Sequence, residues 1–81
     1  MVTAFIMLKI GAGEYQNLVF TIKENLEKIP DVAEAIPVFG RYDMIVKVKV
    51  KSLAELTRLV GDKIRAMDGV TNTETFVAHE D

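Results

Sequence analysis

The stretch Gly40-Arg41-Tyr42-Asp43 lies at the midpoint of an 81-residue chain and divides it into halves with the same order of parts. Val2 to Phe39 reads as strand, helix, strand, and Met44 to His79 reads so again. A glycine that tolerates positive φ, followed by a carboxylate able to accept main-chain amides, is turn chemistry. The four residues are therefore a hairpin between two half-domains. Two βαβ units fused by a hairpin make a ferredoxin-like βαββαβ sandwich, an α+β fold. Right-handed crossovers place both helices on one face. The expected antiparallel order is 4-1-3-2, with the first and third strands central.

Beyond the hairpin, Met44 to Lys51 alternates: Met44, Val46, Val48 and Val50 point inward, and Ile45, Lys47 and Lys49 share the other face. Ser52 and Glu55 form a capping box for the second helix. Its apolar stripe is Leu53, Leu56, Leu59, Val60, Ile64 and Met67. Gly61 in mid-helix costs about 1 kcal/mol against alanine, and close packing on the sheet is the expected reason for it. Asp68-Gly69 stops the helix. Thr71 to His79 is the last strand, with Thr71, Thr73 and Thr75 on one face.

Before the hairpin, Val32 to Phe39 is a weaker strand, and Pro37 puts it at a sheet edge. The first helix carries its stripe on Tyr15, Leu18, Val19, Ile22, Leu26 and Ile29 and ends at Pro30, with Phe20 on its flank. Gly11-Ala12-Gly13 reads as a plain strand-to-helix connection. Val2 to Ile10 is apolar on both faces. Helices cover the even positions, whereas Phe5 and Met7 are left on the other face and call for a second subunit.

Composition narrows the function. A net charge of −2 gives no positive field for nucleic acid or an anionic membrane. The chain has no cysteine, which removes disulfides, thiolate metal sites and thiol nucleophiles and suits a reducing cytoplasm. The longest apolar run, Ala4 to Leu8, is far short of a bilayer span. RNA binding on the open sheet face would need stacking aromatics, and Phe5 is the single one among Thr3, Phe5, Met7, Ile45, Lys47 and Lys49. His79, the one histidine, has only Glu80 and Asp81 near it in sequence, too little for a metal site or a catalytic base. No catalytic arrangement, cofactor motif or metal motif stands out. The hairpin does. A turn accounts for Gly40 and Asp43 but does not demand Arg41 or Tyr42.

The ordered set Gly40-x-x-Asp43, alternating strand, helix, Gly69-Val70 and Thr73-x-Thr75 resembles the effector (RAM) domain of the Lrp/AsnC transcriptional regulators over the whole chain, 1–81. The opening Val2-Thr3-Ala4-Phe5-Ile6 is similar to that domain's first strand. The resemblance implies dimers through sheet faces, here Phe5 and Met7, and octameric or decameric rings. It implies a free amino acid as effector, bound where dimers meet. Gly40 and Asp43 match the family motif, Arg41 and Tyr42 occupy its variable positions, and Thr73 and Thr75 match its polar pair. Those regulators normally begin with a helix-turn-helix domain, whereas here Met1 leads straight into the first strand. The expectation is a stand-alone cytoplasmic module without direct DNA binding, acting by itself or with full-length regulators. Two other readings stay open. One is a small dimeric α/β-barrel enzyme of the monooxygenase type, against which the Val, Ile, Leu and Met at inward positions argue. The other is an oligomerisation module without a ligand.

Overall fold

The computed structural model describes residues 1–11 and 15–79, leaving aside the side chains of residues 15 and 16. The Ala12-Gly13 connection and the place of Tyr15 in its stripe lie outside the described residues. Strand β1 (Val2–Ile10) leads to helix α1 (Tyr15–Glu27), then to β2 (Val32–Pro37) and β3 (Met44–Val50). Helix α2 (Leu53–Leu59) continues into a π-helical turn, Val60–Ile64, before β4 (Val70–Val77). The sheet is antiparallel in the order β2-β3-β1-β4, the expected order read from its other edge.

Alternation decides the two faces. Ala4, Ile6, Leu8 and Ile10 of β1 and Met44, Val46, Val48 and Val50 of β3 are buried in one cluster with Val19, Ile22 and Leu26 of α1 and Leu56, Leu59 and Ile64 beyond. Each large side chain buried this way contributes about 1.5–3 kcal/mol. The opposite face is open and built in cross-strand rows. Ile36, Ile45, Met7 and Glu74 form one row across all four strands, and Glu34, Lys47, Phe5 and Phe76 form the next.

Local chemistry sets the ends of the elements. Ser52 is extended, and its Oγ accepts from the Glu55 amide at 3.2 Å. Glu55 reaches back to the Lys51 amide, one residue earlier than the usual reciprocal partner. Gly69 sits at φ +96, where a Cβ would stand 2.7 Å from Leu18 Cδ2, so both backbone and packing require glycine.

Four expectations need correction. Strand β2 ends at Pro37, and Phe39 lies in the loop, wholly exposed. Pro37 pairs with Met44, after which the Val38 amide closes on the Asp43 carbonyl and the chain has already begun to turn. Strand β4 spans Val70–Val77, short of His79, with the Ala78 amide still bonded to the Thr3 carbonyl. Leu53 is more than half exposed, because it opens the first turn of α2. Gly61 packs against nothing: a Cβ there would meet no atom within 4 Å. It belongs to the π-turn, where the Arg65 amide reaches five residues back to the Val60 carbonyl. The wider turn carries the buried position from Leu59 to Ile64 and leaves Lys63 in solvent.

Candidate functional site

The hairpin between β2 and β3 is held to the body of the sheet at two points. The first is Asp43, the one buried polar residue among the described residues, at 8% exposure. Its amide donates to the Leu8 carbonyl at 2.8 Å, and its Oδ2 accepts from the Ile10 amide at 2.8 Å. A buried N–H at the end of β1, past the last residue of β1 that pairs with β3, needs an acceptor. The Asp43 side chain supplies one from thirty-three positions away in sequence. Lys9 Nζ stands 3.8 Å from the same oxygen.

The second point is Tyr42. Its phenol donates to Glu74 Oε1 on β4, 2.5 Å away. Since β1 lies between β3 and β4, the Tyr42 side chain crosses β1 on the open face to make this bond. The bond to the carboxylate, partial desolvation and the negative charge of Glu74 together hold the phenol above its ordinary value of 10.0, against the opposing pull of Arg41. Tyr42 is therefore a neutral donor across the physiological range.

Between these anchors the tip is open. Gly40 takes φ +144, a conformation that favours glycine, with free space where a Cβ would be. Arg41 and Phe39 project into solvent on either side of it. The tip thus offers an approachable backbone, a guanidinium and an aromatic ring on a loop fixed at its base.

The other expected members lie differently. Thr73 pairs with Leu8 and Thr75 with Ile6, so both sit on the helix-bearing face of β4, whereas Tyr42 and Glu74 are on the open face. Thr73 is half-buried and helps line a cavity of about 120 Å³ with Arg65, Val70, Thr71 and Asn72. One copy of the chain therefore brings Gly40, Arg41, Tyr42 and Asp43 together but does not join them with Thr73 and Thr75. Phe5 and Met7 are half-buried on the open face. A larger cleft of about 230 Å³ lies away from all of these, lined by Asp31, Glu55, Arg58, Leu59, Asp62 and Lys63. Its three acids and two bases balance closely, and it gathers no buried polar group.

Two residues passed over in the sequence belong to this region. Phe39, expected in the second strand, is the exposed ring at the tip. Glu74 stands between the threonines in the sequence, and the register places it in a row with Met7 and Ile45. Among the described residues no cluster of His, Cys, Asp or Glu could hold a metal ion. No described helix is long and apolar enough to cross a membrane.

By fold the chain is a βαββαβ α+β sandwich. It belongs to the Lrp/AsnC ligand binding domain family, whose model matches residues 3–81. The HTH-type transcriptional regulator FL11 of Pyrococcus horikoshii is 36% identical over 74 residues, 91% of this chain and 46% of the regulator. The chain spans about half the length of the curated relatives it matches. Among solved structures, the hypothetical protein PHS023 of Pyrococcus horikoshii superposes with a TM-score of 0.85 at 38% identity, covering 100% of this chain and 93% of that one. AsnC of E. coli superposes with a TM-score of 0.87 at 25% identity, covering 99% of this chain and 52% of that one. The named relatives are transcriptional regulators, which makes the family a regulatory one.

Proposed function

We propose that this chain is an amino-acid-sensing module of the Lrp/AsnC type. In this reading it is a homo-oligomer, a dimer through the open sheet face that builds to an octamer or decamer. It binds a free amino acid at the Gly40–Asp43 hairpin and passes the bound state to its own assembly or to full-length regulators. It works in the cytoplasm, contacts no DNA directly and carries out no catalysis.

The observation that carries this reading is a hairpin fixed at its base by Asp43 and Tyr42 with an open, glycine-based tip. A free amino acid presents an ammonium and a carboxylate on one carbon. Main-chain amides around Gly40 and the Arg41 guanidinium suit the carboxylate, and charge-assisted bonds of this kind contribute about 1.5–3 kcal/mol each. The Asp43 carboxylate, nearly buried on the Ile10 amide, braces that backbone from below, so main-chain carbonyls of the tip suit the ammonium, with Tyr42 as a wall. Thr73 and Thr75, on the other face of the sheet, would come from a neighbouring copy. The transcriptional regulator NMB0573 of Neisseria meningitidis, solved as an L-Met complex, shares the fold at a TM-score of 0.85 and 18% identity. That makes methionine a reasonable first probe.

The test is calorimetry and thermal shift with each of the twenty amino acids, on the wild type and on Arg41→Ala. Arg41 is exposed, so its loss spares the fold. At a concentration one hundred times the dissociation constant, a true effector stabilises by about 2.7 kcal/mol. Arg41→Ala should weaken that effector about tenfold or more. Unchanged affinity in the variant moves the site away from the hairpin. A wild type that binds none of the twenty leaves only the oligomerisation reading.

A further inference from the structure

Glu74 stands in a place where a carboxylate is costly once the open face is covered. It is in one cross-strand row with Met7, Ile45 and Ile36, and the next row holds Phe5 and Phe76 together with Lys47 and Glu34. In the isolated chain Glu74 is exposed and hydrated. Under a second sheet it would lose that water, and an ionised carboxylate without a partner is strongly unfavourable in such a setting. The donor that meets it comes from the hairpin: Tyr42 reaches over β1 to Glu74 Oε1.

We propose that the Tyr42–Glu74 bond is a strap that links the hairpin to self-association, satisfying Glu74 so that the open face of the sheet can be covered by a second copy of the chain. This rests on the sheet-face assembly of the proposed function. With the strap made, the open face closes over a carboxylate that already has its donor. With the strap broken, the same closure buries an unmatched charge. Whatever draws Tyr42 away from Glu74 therefore loosens assembly, and whatever holds it there tightens assembly. Linkage makes the relation reciprocal, so assembly also fixes the hairpin in its strapped conformation. A ligand seated at Gly40 and Arg41, beside Tyr42 in the chain, is placed to act through this bond without touching the sheet face itself.

Sedimentation across a dilution series tests the strap on the wild type, Tyr42→Phe, Glu74→Gln and the double variant Tyr42→Phe with Glu74→Leu. Circular dichroism confirms that each is folded. Removing the phenol oxygen alone should raise the dissociation constant about tenfold or more, because Glu74 is left without its donor. Glu74→Gln keeps an acceptor and drops the charge, so its association should match or exceed that of the wild type. The double variant removes both the donor and the carboxylate and should recover wild-type association, a non-additivity that a purely local role for Tyr42 would not produce. Tyr42→Phe assembling like the wild type, or a double variant as weak as the single one, overturns the strap while sheet-face assembly stands. A wild type that is monomeric throughout the series overturns both.

Discussion

Asp43 shows why a polar residue in a turn is worth more than its turn. Its carboxylate accepts the amide of Ile10, which terminates β1, and the residue is nearly sealed from water. Replacing it with alanine strands a buried N–H, a loss of about 1–3 kcal/mol. Asp43→Asn keeps a side-chain oxygen in place and should lose less. Urea denaturation of the two variants should rank them in that order, and alanine as stable as the wild type would show that water or a shifted backbone replaces the carboxylate. Gly40 and Asp43 were legible in the sequence as turn residues, because their backbone preferences act locally. The distant partner of Asp43 was not, since nothing in the chain near residue 43 points to residue 10. Glu74 is illegible for a related reason: its donor lies in the hairpin before β3, a strand that is not its neighbour, and only the register of three strands brings the two together.

At the scale of elements, the strands followed from alternation and the helix stripes from spacing, since both periods are properties of the backbone. The alternating run of β3 determines which side chains lie on each face of the sheet. The errors fall where periodicity stops. Phe39 has the composition of a strand residue but lies beyond the point where Val38 turns back to Asp43. The π-turn in the second helix has no sequence period, so helical spacing predicts a packing glycine at Gly61, which is instead exposed. Its φ is outside the glycine-favouring range and its Cβ position is empty, so glycine there brings only backbone freedom in the unfolded chain. Gly61→Ala should therefore stabilise the protein by about 0.5–1 kcal/mol. A raised urea midpoint with an unchanged slope is the expected result, and a lowered midpoint would mean that the π-turn itself needs the glycine.

At the scale of the whole molecule, the sheet buries one face under helices and leaves the other open. Phe5, Met7 and Ile45 are only half-buried there, and Phe76 and Ile36 are about half exposed. A chain of 9.0 kDa has little other surface on which to gain stability. Completing the burial of one Phe on association contributes at most about 1.5–3 kcal/mol. In a twofold pairing each change is made twice, so Phe5→Asp removes up to about 3–6 kcal/mol of apolar burial and adds a carboxylate to the interface. The expected consequence is a rise of about a hundredfold or more in the dimer dissociation constant. The helices should be spared, because Phe5 faces away from them while Ala4 and Ile6 on the other side of β1 hold the core. Light scattering together with far-ultraviolet circular dichroism separates the two effects. A variant that loses mass but keeps its helical signal places the interface on this face. A variant that keeps the wild-type mass moves the interface elsewhere, and one that loses the helical signal would mean that Phe5 serves the fold of the single chain.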